Sequence, residues 1–129
     1  MGKPTTRMLE VYKVVREACD VMIAAIKPGI SAAAPHDLSK KVIEQAGMNE
    51  GRWHLSGYGI APGFPPIWGE LLRLEAGSPY VLQPGMVVSI EPPVFLPKEK
   101  IGFRIIDNVL ISNAGAEILS EFTRDFITL

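Results

Sequence analysis

The most constraining feature of this sequence is the uneven distribution of its glycines and prolines. The chain has 12 Gly and 11 Pro, and 15 of them fall within residues 57–102. Proline breaks helices and glycine weakens both helices and strands, so this middle segment cannot hold a long regular element. We therefore expect helices in the first third, loops and short strands in the middle, and strands near the end.

The first third has the apolar spacing of two helices. Apolar residues recur every three or four positions over 8–26, which predicts one long helix with Thr5 or Thr6 as its N-cap. A second helix is predicted over 35–46, ended by Gly47. Each helix has one apolar side, which must pack against a sheet or another helix.

After residue 51 the pattern changes to that of strands. The predicted strands are 52–58, 86–95 (interrupted by two prolines), 102–112 and 116–120. The turn Asn113-Ala114-Gly115 joins the last two as an antiparallel hairpin. Helices that precede an antiparallel sheet indicate the α+β class.

Composition excludes several classes of protein. The chain is 129 residues long, about one domain, with 13 Lys+Arg against 14 Asp+Glu. A net charge of −1 gives no electrostatic footprint for nucleic acid or an anionic membrane surface. The single cysteine, Cys19, cannot form an internal disulfide, and no apolar run has the length of a membrane span. A cytoplasmic protein is expected.

Glu91 is the first candidate site residue. It ends an apolar strand and is followed by Pro92 and Pro93, which cannot continue a central ladder. A carboxylate at such a strand end points into the cleft that the sheet forms, where it serves as a base, an acid or a ligand. The alternative is a solvated glutamate at a sheet edge.

A second candidate region surrounds Tyr58. Gly57 and Gly59 flank this tyrosine and allow the backbone to approach a partner or ligand closely. His54, beside a tryptophan, is either a packed, hydrogen-bonded side chain or a catalyst. His36, at the start of the second predicted helix, is expected at the surface.

Arg104 and Asp107 lie on opposite faces of a predicted strand, because side chains alternate along a strand. Arg104 shares its face with Ile106 and Asn108. The two charged residues either form ion pairs within the sheet or belong to a site. No Cys/His cluster has zinc spacing, and no serine stands in a nucleophile elbow.

Five runs, in their order and spacing, resemble the pita-bread family, which includes methionine aminopeptidase, aminopeptidase P, prolidase and creatinase. These runs are 26–29, 54–60, 82–92, 102–107 and 109–117. The most specific is Leu-x-Pro-Gly-Met-x-x-x-x-Glu-Pro at 82–92. The resemblance implies a pita-bread fold over essentially the whole chain.

The resemblance also implies a degenerate metal site. Metallopeptidases of this family hold two Mn, Co or Zn ions with two aspartates, a histidine and two glutamates. The two aspartates precede the first long helix, where this chain begins, so they are expected to be absent. The histidine position holds Tyr58, the first glutamate is Glu91, and the last glutamate position holds Ile106. Glu91 alone cannot supply the donors of a dinuclear site, and Asp107 points to the other face, so no bound metal is expected.

Creatinase offers a metal-free alternative within the same fold, since it hydrolyses a C–N bond with acid/base side chains. The pair Gly57-Tyr58 and the run 63–70 are more similar to the creatinase and ectoine-hydrolase branch. In that branch Glu91 would bind or deprotonate the substrate, Tyr58 would donate a hydrogen bond, and His54 would line the pocket. The residues assigned by this resemblance are Glu91, His54 and Tyr58 as catalytic groups, and Arg104 and Trp68 as substrate-binding groups.

Residues 1–129 are therefore expected to form the C-terminal portion of a creatinase/aminopeptidase-like domain, with two helices packed on a curved antiparallel sheet. The expected activity is hydrolysis of a C–N bond in a dipeptide or small molecule. The alternative is a non-catalytic module that binds a small ligand or dimerises. Missing strands would leave the strands at 86–91 and 103–111 open to pairing, so a homodimer is predicted.

Overall fold

Two helices, seven strands and two short 3-10 turns make up the chain in the computed structural model, which describes residues 2–53, 55–61 and 69–127. The helices are α1 (Thr6–Ala25) and α2 (Ala33–Gln45), and the 3-10 turns are Asn49–Gly51 and Pro97–Glu99. The strands are β1 (Gly57–Ile60), β2 (Gly69–Arg73), β3 (Val87–Ile90), β4 (Val94–Leu96), β5 (Ile101–Phe103), β6 (Asp107–Ser112) and β7 (Gly115–Ile118). The expected α+β class is confirmed.

Five of the strands form one antiparallel sheet, in the order β2-β1-β3-β6-β7, while β4 and β5 pair separately. Strands β3 and β6 therefore lie in the middle of the sheet. The expectation that 86–91 and 103–111 offer an open edge is wrong, because β1 and β7 already pair with them. In the described part of the chain, β2 and β7 are the edge strands.

The helices cover one face of this sheet. Val88 and Ile90 of β3 and Val109 and Ile111 of β6 are fully buried, and they pack in one cluster with Met22 of α1. A second cluster joins α1 to α2 and to β4. Each fully buried aliphatic side chain contributes roughly 1.5–3 kcal/mol to folding, so these clusters hold the helices against the sheet. Ser89 of β3 and Asn108 of β6 alternate with these residues and face the opposite side of the sheet.

The helices match their predictions closely. Thr5 caps α1, since its Oγ1 accepts a hydrogen bond from the Met8 amide at 3.2 Å. No helix in the described ranges is long and apolar enough to cross a membrane.

Several strand predictions differ from the structure. The strand predicted over 52–58 is found as β1 at Gly57–Ile60, and the run 86–95 is divided between β3 and β4. The run predicted as one strand over 102–112 is β5 and β6, separated at 104–106, where the chain passes from one sheet to the other. Strand β2 was not predicted, because Gly69-Glu70-Leu71-Leu72-Arg73 contains none of the β-branched or aromatic residues that favour strands.

Candidate active site

Glu91 is a buried carboxylate at the end of a central strand. It follows β3 directly and is 2% exposed. Its backbone N–H donates to the Ser56 carbonyl at 2.8 Å, which extends the pairing of β1 with β3 by one residue. The alternative of a solvated edge glutamate is therefore wrong.

Arg104 forms an ion pair with Glu91. Its Nη1 donates to Oε2 of Glu91 at 3.3 Å, and the guanidinium carbon lies 6.0 Å from the centre of the Phe95 ring. The Arg104 side chain is 30% exposed, in contrast to the carboxylate that it contacts. The pair thus has a buried anionic end and an accessible cationic end, so a ligand can reach the guanidinium from solvent.

The pairing of the strands places other polar residues near the Glu91–Arg104 pair. Tyr58 lies opposite Ser89, and Ser89 lies opposite Asn108, so the three side chains share the face of the sheet away from the helices. Because side chains alternate along a strand, Glu91, two residues after Ser89, faces the same side of the sheet. Ile106 lies two residues before Asn108 and is 53% exposed. The structure therefore brings Tyr58, Arg104 and Glu91 to one side of the sheet.

Gly57 allows this close arrangement. A Cβ at this position would collide with the carbonyl oxygen of Ser89 on the neighbouring strand. Because this obstacle belongs to the backbone, it could not move aside as a flexible side chain could. The sequence expectation of a close backbone approach beside Tyr58 is confirmed at this glycine.

The described residues on this face supply too few donors to hold a dinuclear metal site by themselves. Within the described ranges, no group of three or more His, Cys, Asp or Glu side chains is placed to hold a metal ion. Ile106 has no ligand atom, and the phenol of Tyr58 is a poor substitute for imidazole. Asp107 faces the helices, opposite Ile90, so it cannot replace Ile106.

Asp107 instead belongs to an ion-pair cluster behind the sheet. It is 2% exposed, and its Oδ2 lies 2.9 Å from Nε of Arg124. Nη1 of Arg124 reaches Oδ1 of Asp20 on α1 at 2.7 Å. Burial raises the pKa of the Asp107 carboxyl above its ordinary value, although Arg124 and Arg16 act in the opposite direction.

A cavity of about 610 Å³ lies beside this cluster. Its lining includes Tyr12, Phe122, Asp107 and Arg124, and it does not include Glu91. No sequence pattern pointed to Arg124, because the C-terminal segment that carries it is irregular.

His36 lies in a second buried polar cluster, and its expected surface position is wrong. The residue is 4% exposed, and its Nδ1 lies 3.1 Å from Oγ of Ser56. Nη2 of Arg52 lies 2.7 Å from Nε2 of the ring. Burial lowers the pKa of His36, and Arg52 lowers it further. The spacing of His36, Ser39 and Ile43 could have revealed the inward face of α2.

His54 and Trp68 lie outside the described residues, as does most of the creatinase-like run at 63–70. Their assignment to the pocket stays a prediction. The neighbouring Trp53 is 67% exposed, and its indole N–H donates to the Glu50 carbonyl at 2.8 Å.

The amino-acid sequence is similar to a family of metallopeptidases and to individual members of it. The model of metallopeptidase family M24 matches residues 1–113. A Xaa-Pro dipeptidase from Pyrococcus furiosus is 32% identical over 127 residues. The alignment covers 98% of this chain and 35% of that protein, so the chain spans about a third of the length of the curated relatives it matches.

Solved structures agree with this result. The prolidase from Pyrococcus horikoshii OT3 superposes with a TM-score of 0.88 at 31% identity, over 98% of this chain and 35% of that one. A Xaa-Pro dipeptidase from Bacillus anthracis gives a TM-score of 0.90 at 29% identity, over 100% of this chain and 35% of that one. Two helices on an antiparallel sheet are thus confirmed as the pita-bread arrangement of these peptidases.

Proposed function

Because this chain belongs to metallopeptidase family M24, we propose that residues 1–129 are the C-terminal portion of a hydrolase domain that cleaves C–N bonds. Its substrate is a dipeptide or a small molecule. Similarity to Xaa-Pro dipeptidases supports a substrate with an amide or Xaa-Pro bond. Tyr58, which stands at a ligand-histidine position of the family, favours the creatinase-like branch, in which side chains do the acid/base work.

The Glu91–Arg104 pair is the observation that carries this proposal. Glu91 is 2% exposed, so its carboxylate acts in a poorly solvated environment, where proton transfer and charge recognition are strong. Arg104 is accessible and has further N–H groups for a substrate carboxylate. In this arrangement Glu91 binds or deprotonates the amino or amidine side of the substrate, and Tyr58 donates a hydrogen bond.

We further propose that the metal site of this branch is degenerate. Two of the ligand positions that the family resemblance assigns to this chain hold Tyr58 and Ile106, and neither side chain is a good ligand for a metal ion shared with Glu91. Among the described residues, the guanidinium of Arg104 contacts this carboxylate at 3.3 Å. Every step assigned here is therefore performed by side chains.

Hydrolysis assays test the proposal directly. The purified chain is incubated with Ala-Pro, Gly-Pro and creatine, with and without EDTA, and released amine is measured. We expect turnover that EDTA leaves unchanged and that Glu91→Gln lowers by at least about 100-fold. Glu117→Gln, an exposed glutamate on β7, is the matched control. An unchanged rate in Glu91→Gln would remove this residue from the mechanism.

A non-catalytic module that binds a small ligand is the second candidate. The 53% exposed Ile106 favours it, because an aliphatic side chain stands in the site where the family resemblance expects a carboxylate. Calorimetric binding of a dipeptide without any product would support this candidate over hydrolysis.

The predicted homodimer also stays a proposal, as does the cytoplasmic location. Leu71 on the edge strand β2 is 82% exposed, so pairing through this edge would remove an apolar side chain from water. Light scattering that shows a clean monomer at high micromolar concentration would contradict the dimer.

A further inference from the structure

Ser56 is the residue at which three parts of the fold meet. Its N–H donates to the Leu74 carbonyl at 3.0 Å, just after β2, and its carbonyl accepts from the Glu91 N–H at 2.8 Å. The residue is fully buried. The position of Ser56 therefore fixes the start of β1 relative to the backbone of Glu91.

The Ser56 hydroxyl connects this junction to helix α2. Its Oγ lies 3.0 Å from Oγ of Ser39 and 3.1 Å from Nδ1 of His36. Oγ of Ser39 in turn donates to the His36 carbonyl at 2.8 Å. The three side chains are buried, so their hydrogen bonds replace those that water would make.

Proton counting in this network determines the form of His36. Each hydroxyl carries one hydrogen, and Ser39 gives its hydrogen to the His36 carbonyl, so Ser39 accepts from Ser56. Ser56 has then used its own hydrogen and must accept from Nδ1 of His36. Nε2 is left with a lone pair, and Arg52 Nη2 donates to it at 2.7 Å, closer than its 2.9 Å distance to Nδ1. These contacts favour a neutral ring that carries its proton on Nδ1.

We propose that His36 is a positioning residue for Glu91 and that it acts through Ser56. In its neutral form the ring donates to the Ser56 hydroxyl, which holds the backbone carbonyl that binds the Glu91 N–H. The proposal rests on the proposed function, since it matters only where Glu91 is the site carboxylate.

Protonation of His36 would break this arrangement. A proton on Nε2 would face the N–H of Arg52, so two donors and two positive charges would meet. The other charged groups near the ring are Asp37 and Lys40 of α2, and the Leu74 carbonyl also faces it. Asp37 and Leu74 favour protonation, whereas burial, Arg52 and Lys40 oppose it.

Backbone NMR tests the proposal through the native Glu91 amide. Three variants are compared with the wild-type chain at pH 7.5. His36→Phe removes both ring contacts, Ser56→Ala removes only the hydroxyl, and His36→Asn keeps a side-chain N–H donor near the place of Nδ1–H. The Ile111 amide, which donates to the Met86 carbonyl, is the internal reference for overall stability.

We expect Ser56→Ala and His36→Phe to move the Glu91 amide resonance and to speed its hydrogen exchange at least about tenfold relative to Ile111. His36→Asn should leave both near their wild-type values. In the wild type, acid titration should move the Glu91 resonance together with the His36 ring resonances, and His36→Asn should abolish that step.

A merely structural role gives a different result. If the Glu91 amide changed only in step with Ile111 in Ser56→Ala, and did not follow the His36 titration in the wild type, the proposal would be overturned. Should His36→Phe fail to fold, Ser56→Ala and the titration still decide the matter. None of these measurements contains a substrate, so a failed hydrolysis assay beside a confirmed His36–Ser56 effect would contradict the proposed function alone.

Discussion

Glu91 and Asp107 are two carboxylates with the same burial and opposite surroundings. Each is 2% exposed and each contacts an arginine. Arg124, the partner of Asp107, is 16% exposed and also binds Asp20 on α1 at 2.7 Å. Arg104, the partner of Glu91, is 30% exposed and contacts the carboxylate at 3.3 Å.

This difference separates an acid whose partner arginine is largely buried from an acid whose partner arginine reaches solvent. The Asp107 cluster ties the C-terminal segment and α1 to the back of the sheet through ion pairs of Arg124 with Asp107 and Asp20. The Glu91 pair lies on the face away from the helices, and the cationic end meets solvent. Burial alone would not distinguish the two acids, whereas the exposure of the partner arginine does.

The largest expected effect follows removal of Arg124. Arg124→Met leaves Asp107 buried without its ion-pair partner and removes one of the two arginines that pair with Asp20, so the free energy of unfolding should fall by about 3 kcal/mol. Urea denaturation followed by circular dichroism measures the change. If the free energy of unfolding fell no more than it does on replacing an exposed arginine, the Asp107 cluster would not stabilise the fold.

The same substitution at Arg104 should have a smaller effect. Arg104→Met removes a single contact of 3.3 Å made by a partially exposed arginine, so we expect a loss of about 1–2 kcal/mol in the same urea experiment. Equal losses for Arg104→Met and Arg124→Met would abolish the contrast between the two acids.

The smallest expected effect is the pH dependence of folding stability that His36 causes near Glu91. The folded pKa of His36 lies below its unfolded value of 6.5, so the unfolded chain binds more protons as pH falls. Stability is therefore retained above pH 6.5 and decreases below it. Between pH 7.5 and 5.5 the loss assigned to His36 is at most about 1.4 kcal/mol.

His36→Asn is the control for this pH dependence. The variant should flatten the change in urea midpoint between pH 7.5 and 5.5 relative to the wild type. An identical slope in both proteins would show that other groups cause the acid sensitivity.

The sequence predicted those parts of the fold that local spacing determines. Residues 8–26 carried the apolar stripe of α1, and the prolines after Glu91 marked the end of a strand. Strand β2 was missed, because Gly69–Arg73 gains its strand structure from pairing with β1. Only the three-dimensional fold shows which strands are central, since register and order depend on contacts between distant segments.

The candidate site residues were selected one at a time from local sequence features, and their roles remain predictions. Glu91, Tyr58 and Arg104 were selected from their positions in the sequence, and the structure brings them to one side of the sheet. Contacts between distant segments were not predictable. Arg124 reaches Asp107 from 17 positions away, and His36 meets Ser56 across the space between α2 and β1.

Metal content is the most direct test of the central claim, that Glu91 serves a site made of side chains. The chain is incubated with Mn, Co or Zn, passed through gel filtration and analysed by mass spectrometry. The account predicts far less than one ion per chain with each metal, unchanged in Glu91→Gln. About one or two ions per chain, lost in Glu91→Gln, would contradict it and make this carboxylate a metal ligand.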